Sequence, residues 1–254
     1  MSPSCRGRQN RIMMFPKALL LAVCLFTILL CTNCANNIHM DHLACDAKIA
    51  EDAAVWTMPG EQSILTPDIY KEAANIQGGN RREQVIDTVA YVWNNYAYDL
   101  YCNSDMFSRT ADELCKSGVL GGCADYSLII AALLRARGVP ARILITVNVK
   151  WMLWMQAHQQ DVMSIPFGHS FIEVYLEDGW WLLDPVKKIL YGQYIPQSAS
   201  LPEWQYLLAG GLDFWSMGLS DIQSARKMFI EFGLAFNKDT YNKPDYPSFP
   251  IEGK

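Results

Sequence analysis

Three residues that together can carry out acyl transfer follow one another along the chain: Cys123, His169 and Asp184. In such chemistry a cysteine thiolate attacks a carbonyl carbon, an imidazole transfers the proton, and a carboxylate orients the imidazole and stabilises its charge. None of the three is diagnostic alone, because an isolated cysteine is more often a buried core residue. The chemistry requires local structure that activates the thiol and brings the other two side chains to it.

The residues around Cys123 predict a helix that begins at the cysteine. A glycine pair precedes it, the apolar run 127–136 follows, and Gly138 with Pro140 marks the end of the helix. Unpaired backbone N–H groups at a helix N-terminus favour an anion. With an imidazolium nearby, such a position lowers a cysteine pKa from ~8.5 towards about 3.5–7.5. The sequence therefore predicts a thiol placed for activation.

The histidine and the acid lie in a predicted β-hairpin. Alternating apolar residues and an Asp-Gly turn signal predict two strands and their connection: 169–176, 180–185 and 178–179. A two-residue turn at 178–179 places Asp184 opposite Glu173 rather than His169, although on the same face of the sheet. Bringing Asp184 to His169 then requires a longer loop, a bulge or a twist.

Hydrophobic periodicity predicts the elements that flank this hairpin. They are a helix over 81–96, a short helix over 111–116, a strand over 141–149 and a last helix over 221–236 capped by Ser220. Residues 151–160 are ambiguous between helix and strand. The proline-containing tail is expected to wrap in extended form.

These blocks resemble the transglutaminase-like superfamily, whose catalytic core has a papain-like architecture. The resemblance rests on three segments, 122–142 with its Gly-Cys-Ala-Asp-Tyr-Ser and Gly-Val-Pro-Ala-Arg motifs, 169–174, and 180–185 with Trp-Trp-Leu-Leu-Asp-Pro. It covers about residues 81–190 and leaves the rest unexplained. It implies an α+β fold in which the cysteine helix packs on an antiparallel sheet that carries His and Asp.

By this resemblance Cys123 is the nucleophile, His169 the general base and acid, and Asp184 the orienting carboxylate. The implied enzyme is a cysteine hydrolase or acyltransferase that acts on peptide or glutamine-type amide bonds, with hydrolysis favoured over cross-linking. The backbone N–H of Cys123 is one expected oxyanion donor. The second donor stays open among Tyr98, Tyr101 and Asn103.

Other readings compete with this one. An envelope binding or assembly module could keep the fold without turnover, and arylamine N-acetyltransferases use the same triad but expect Arg-Gly-Gly where Leu120 precedes the glycines. Asp125 is interpreted as a cap or dipole partner. Glu173 is interpreted as a structural hydrogen-bond partner. The arginines of the cysteine block are interpreted as fold-stabilising rather than substrate-binding: Arg135, Arg137 and Arg142.

The N-terminus predicts export. Four basic residues and no acid occur in residues 1–17, and an apolar run follows over 18–31, which is typical of a signal peptide. A lipidated cysteine at position 34 and an uncleaved anchor remain open alternatives. The expected organisation is 1–34 signal or anchor, 35–60 tether, 61–190 catalytic core and 191–254 extension packed on the core. The expected location is periplasmic or in the cell envelope.

Eight cysteines in an exported chain suggest disulfides. Beyond the signal lie four of them, and with Cys123 reserved for chemistry the preferred pair is Cys102 with Cys115. No metal or cofactor is expected, because four ligands at zinc-like spacing are absent and His39 with His42 falls in the tether.

Composition excludes several classes of function. Apolar residues make up 51% of the chain and charged residues 19%, as in a globular protein. A formal net charge of −5 is not the basic footprint of nucleic-acid binding. The expected partners are a protein or peptide substrate, an amine acceptor if transfer occurs, and a membrane if the N-terminus tethers the chain.

Overall fold

The computed structural model describes residues 53–158 and 167–252. The predicted signal or anchor at 1–34 and most of the predicted tether at 35–60 lie outside the described residues. In the part that is described, no helix is both long enough and apolar enough to cross a membrane.

Six α-helices run through the described residues: α1 Pro67–Ala74, α2 Arg81–Asn95, α3 Ala111–Ser117, α4 Cys123–Ala136, α5 Val149–Ala157 and α6 Ile222–Ala235. Short 3-10 segments cover Val55–Thr57, Leu100–Asp105, Trp215–Met217 and Lys238–Thr240. The predicted helices α2, α3 and α4 are confirmed, and the ambiguous segment at 151–160 is helical as far as the end of α5. The last helix is capped by Asp221 and not by Ser220, because the Asp221 carboxylate accepts from the Ser224 backbone N–H.

Within residues 53–158 and 167–252, nine strands form two sheets: β1 Ala97–Tyr98, β2 Val119–Leu120, β3 Ala141–Asn148, β4 Gly168–Leu176, β5 Gly179–Asp184, β6 Ile189–Tyr191, β7 Ser200–Leu201, β8 Gln205–Gly211 and β9 Ser248–Pro250. The first two pair in parallel, and the other seven form an antiparallel sheet in the order β7-β8-β3-β4-β5-β6-β9. The protein therefore has the expected α+β fold.

Helix α4 lies at the centre of the core. Every residue from Ala124 to Arg135 is buried, because α1, α2 and α3 pack on one side of the helix and β3 and β4 on the other. A helix that is apolar all round is stable only when it is covered on all sides. The burial holds the N-terminal end of α4 in a fixed position against the sheet.

The β4–β5 hairpin corrects the predicted register. Leu176 pairs with Gly179, so the two turn residues are 177 and 178, one position earlier than predicted. Gly179 has a φ of +125°, which glycine accommodates at no steric cost. Moving the turn by one residue changes the partner of every strand residue by two. Continued along the strands, this register places Asp184 opposite Phe171 and diagonal to His169, with no bulge.

Residues beyond 190 complete the main sheet. Strand β8 pairs with β3, and β9 pairs with β6. The predicted boundary between a core ending at residue 190 and an extension starting at 191 therefore runs through one continuous sheet.

Candidate active site

Cys123 is the first residue of α4. Gly122 is the N-cap, and no side chain caps this end of the helix, so the first backbone N–H groups remain available to an anion. The preceding glycines are required by close packing: a Cβ on Gly121 would lie 2.5 Å from the backbone oxygen of Cys102, and one on Gly122 would lie 2.5 Å from Met106 Sδ. The glycine pair lets the segment 102–106 pack directly against the two residues that precede Cys123.

The three predicted site residues come together at this end of α4. His169 lies on β4 and Asp184 at the end of β5, and His169 Nε2 is 3.0 Å from Asp184 Oδ1. The Cys123 thiol lies within hydrogen-bonding reach of the opposite edge of the imidazole. Because Nε2 faces the carboxylate, we assign Nδ1 to the sulfur. The order is sulfur, imidazole, carboxylate.

The carboxylate of Asp184 is fully buried and held by the backbone that follows it. Its Oδ1 accepts hydrogen bonds from the backbone N–H groups of Val186 at 3.0 Å and Lys187 at 2.9 Å. The indole of Trp93 donates to the carbonyl of Pro185 at 2.9 Å, which ties this turn to helix α2. These contacts hold the Asp184 carboxylate in place independently of its contact with His169.

Electrostatics favour a charged sulfur and a charged imidazole. Burial by itself raises the pKa of the Cys123 thiol, but the hydrogen bond and charge of His169 and hydrogen bonds from Ser170 lower it below its ordinary value. Burial alone lowers the pKa of His169. The interactions with Asp184 and Cys123 outweigh the effect of burial and raise this pKa to about 10. Both shifts favour the thiolate–imidazolium form of the pair over the neutral form.

Ser170 is a site residue that the sequence reasoning missed. Its hydroxyl donates to the Cys123 carbonyl at 2.8 Å and lies 2.7 Å from the Ser127 hydroxyl. Both serines are fully buried. A serine among apolar residues, one position after the histidine and on the helix-facing side of β4, is the signal that could have found it.

A cleft of about 370 Å³ opens beside Cys123 and His169. Its lining is largely apolar and comes from four regions of the chain: Asn103, Ser104, Met106, Phe107, Ile145, Gly168, Ile222, Gln223, Arg226 and Phe229. Of the three residues left open as the second oxyanion donor, Asn103 lines this cleft, and its Oδ1 lies 3.6 Å from the position a Cβ would take on Gly122. Tyr98 and Tyr101 are 58% and 92% exposed and are not among the lining residues.

Asp125 lies in the first turn of α4, where a dipole partner is expected, and does not cap the helix. Its carboxylate accepts from the Gly121 backbone N–H at 2.7 Å and pairs with Arg109. Burial raises the pKa of Asp125, and the contacts with Gly121 and Arg109 act against that rise. Asp125 therefore holds Gly121 in place at the start of α4 and lies outside the Cys123–His169–Asp184 arrangement.

The arginines of the cysteine block have structural partners, as interpreted from the sequence. Arg135 and Arg137 donate to backbone carbonyls, and Arg142 pairs with Glu173. Glu173 also accepts from the Tyr194 hydroxyl at 2.6 Å. These contacts connect the helices and the sheet around the site.

The predicted Cys102–Cys115 disulfide is wrong, since both are free thiols in the structure. Cys115 lies on α3, where burial raises the pKa of its thiol. Cys102 lies in the 3-10 segment whose backbone packs against Gly121. The two residues belong to separate packing environments.

Comparison with known proteins gives a family for the central part of the chain. Residues 71–185 match the family described as the transglutaminase-like superfamily. These residues belong to that superfamily. No curated protein matches the sequence. The matched region contains Cys123, His169 and Asp184, whereas the cleft residues of α6 lie outside it.

Two solved structures are similar to this chain over part of its length. One is described as a "putative cysteine protease" from Cytophaga hutchinsonii, with 20% identity, a TM-score of 0.45, and coverage of 66% of this chain and 50% of that one. The other is described as a TGase, with 16% identity, a TM-score of 0.32, and coverage of 70% and 49%. The chain thus spans about half the length of each.

Proposed function

We propose that the protein is a cysteine acyl-transfer enzyme that cleaves peptide or glutamine-type amide bonds, with Cys123 as nucleophile. One observation carries the proposal: the imidazole of His169 lies between the Cys123 thiol and the fully buried carboxylate of Asp184, at an uncapped helix N-terminus. Nucleophile, base and orienting group within hydrogen-bond reach are the arrangement that this chemistry requires.

In the first half of the reaction, the Cys123 thiolate attacks the carbonyl carbon and forms a C–S bond, while the carbonyl π electrons move to oxygen. The oxyanion then collapses, the C–N bond breaks, and His169 Nδ1 gives its proton to the departing amine. Asp184 stabilises the imidazolium before this step and holds the ring in place throughout. The product is a thioester on Cys123.

In the second half, His169 takes a proton from water, and the resulting oxygen nucleophile attacks the thioester carbon. The C–S bond breaks, the electron pair returns to sulfur, and a carboxylic acid leaves. An amine acceptor would give a new amide by the same steps. We propose hydrolysis because water needs no binding site of its own, whereas an amine acceptor does.

The oxyanion has two donors in this proposal. The backbone N–H of Cys123 points from the first turn of α4, where the helix dipole adds to its effect. The Asn103 carboxamide, which lies close to Gly122, supplies the second hydrogen bond. Its position at the cleft supports this role over Tyr98 and Tyr101.

Alkylation of the thiol tests the activated pair directly. The mature protein is treated with iodoacetamide near pH 6, and the rate of Cys123 labelling is followed by intact mass against His169→Ala. We expect fast labelling in wild type and a collapse in the variant, because His169 keeps the sulfur ionised. Labelling at the rate of free cysteine would contradict the proposal and leave the binding-module hypothesis.

A second experiment separates hydrolysis from transfer. The protein and its Cys123→Ala variant are incubated with an envelope extract and a labelled amine, and the products are identified by mass spectrometry. Cys123-dependent cleavage or deamidation supports a hydrolase. Cys123-dependent incorporation of the amine would instead assign transglutaminase chemistry.

We also propose that the enzyme is exported and acts on protein or peptide substrates in the periplasm or cell envelope. The support is the basic and apolar N-terminal sequence. Mass measurement of the exported chain should find a mature N-terminus near residues 32–36. An intact Met1 would contradict cleavage, and an added lipid mass would assign the lipoprotein alternative.

A further inference from the structure

Helix α6 forms one wall of the cleft beside the candidate nucleophile. Ile222 and Phe229 line the cleft from this helix, opposite Met106 and Ile145. These residues are two turns apart on α6, which places them on one face. The helix lies outside the region that matches the superfamily, so nothing in the shared core accounts for this wall.

The position of α6 is set by close contacts near its middle and at its C-terminal end. Near its middle, Phe229 packs against Gly168, where a Cβ would lie 2.8 Å from two ring atoms of the phenylalanine. At the C-terminal end, the Gln156 side chain donates to the carbonyls of Gly233 and Phe236, each at 2.8 Å. Gly168 immediately precedes His169, so the ring of Phe229 abuts the strand that carries the base.

We propose that Ile222 and Phe229 form the binding site for an apolar side chain of the acyl donor, next to the scissile carbonyl. This inference rests on the proposed function, because it takes Cys123 as the atom that attacks. A cleft of about 370 Å³ has room for a leucine or phenylalanine side chain. Its apolar lining gains from excluding water when such a side chain enters.

Polar groups in the cleft complement an apolar side chain flanked by peptide. Ser104 lies on one side and Gln223 on the other, and both are exposed, so they can bind backbone N–H and C=O groups at the rim. A lysine side chain would place an ammonium among apolar groups and lose its hydration. Arg226 also lines the cleft, which makes preference for an acidic side chain the competing outcome.

The test measures side-chain preference without requiring turnover. Blocked amino-acid chloromethyl ketones that carry alanine, leucine, phenylalanine, glutamate or lysine side chains are compared with iodoacetamide. In each reaction the Cys123 thiolate forms a C–S bond and displaces the halide. The ratio of each ketone's second-order rate constant to that of iodoacetamide reports the cleft, while iodoacetamide alone reports the thiolate.

We expect the leucine and phenylalanine ketones to have ratios at least about tenfold above alanine, glutamate and lysine, the scale of discrimination that an apolar pocket provides. Ile222→Asn should remove this preference, so that the leucine and phenylalanine ratios fall to that of alanine. Asparagine adds no charge beside the thiolate, and the iodoacetamide rate of the same variant measures the thiol separately. Ile222→Val should retain most of the preference.

Lys227→Ala is the matched control, since this residue is on the same helix with its side chain 76% exposed and is not a lining residue. A flat ketone series, or a preference for glutamate, would overturn the pocket. An equal loss of iodoacetamide and ketone reactivity in Ile222→Asn would also overturn it, because the residue would then act on the thiol. Slow iodoacetamide labelling of wild type contradicts the proposed function instead.

Discussion

Replacing Ser170 by alanine tests whether the buried serine pair supports the candidate nucleophile. The Ser170 hydroxyl donates to the Cys123 carbonyl at 2.8 Å and meets the Ser127 hydroxyl at 2.7 Å. Hydrogen bonds from Ser170 are also among the causes that lower the pKa of the thiol. The substitution removes one hydroxyl and affects both stability and reactivity.

The expected loss of stability follows from the two hydrogen bonds. Ser170→Ala leaves the fully buried Ser127 hydroxyl without this partner and removes the bond to Cys123, which together cost about 2 kcal/mol. Ser127→Ala removes only the bond between the serines and costs about 1 kcal/mol. Since both variants lose that shared bond, the double variant should be destabilised by less than the sum of the two.

Urea denaturation measures these stabilities, and the pH dependence of iodoacetamide labelling measures the thiol. Ser170→Ala should move the acid limb of the labelling profile to higher pH, because a hydrogen bond that favours the thiolate is lost. Ser127→Ala is the matched control and should leave the limb in place. An unchanged limb in a folded Ser170→Ala protein would refute the reasoning.

Three further predictions follow from the site and the cleft. Turnover should show a bell-shaped pH profile, because the thiolate is protonated below the lowered pKa of Cys123. Above the pKa of His169, about 10, the imidazole has lost the proton that the departing amine needs. Steady-state kinetics from pH 4 to 11 would measure both limbs. Asn103→Ala should lower kcat by about 10²–10³ through loss of an oxyanion donor while the rate of iodoacetamide labelling stays the same. Gly168→Ala should destabilise the fold by about 1–3 kcal/mol, because the added methyl group meets the ring of Phe229; thermal denaturation checks this, and an unchanged midpoint would contradict it.

Local sequence patterns could predict the elements that carry the site because each has its own signals. The glycine pair, the apolar run and the terminal Gly and Pro bounded α4, and alternation with a turn signal indicated the β4–β5 hairpin. The side chains at the ends of those elements, Cys123, His169 and Asp184, could then be placed at one end of the core. These predictions depend on contacts between residues close in sequence.

The turn residues alone could not predict the exact register of the hairpin. An Asp-Gly pair is compatible with more than one turn position, and a shift of one residue moved the partner of Asp184 from Glu173 to Phe171. The disulfide prediction failed for a related reason. Spacing alone carries no information on whether the side chains of Cys102 and Cys115 meet.

The wall of the cleft that α6 forms depends on contacts that no local sequence pattern predicts. Phe229 and Gly168 are far apart in the sequence, and neither has a local signal for the other: Gly168 begins a strand, and Phe229 lies on the buried face of an ordinary amphipathic helix. Their contact arises only after β8 joins β3 and α6 packs against α5. A pocket assembled this way can change with a helix that the catalytic strands do not require, so substrate preference can vary while the chemistry at Cys123 stays the same.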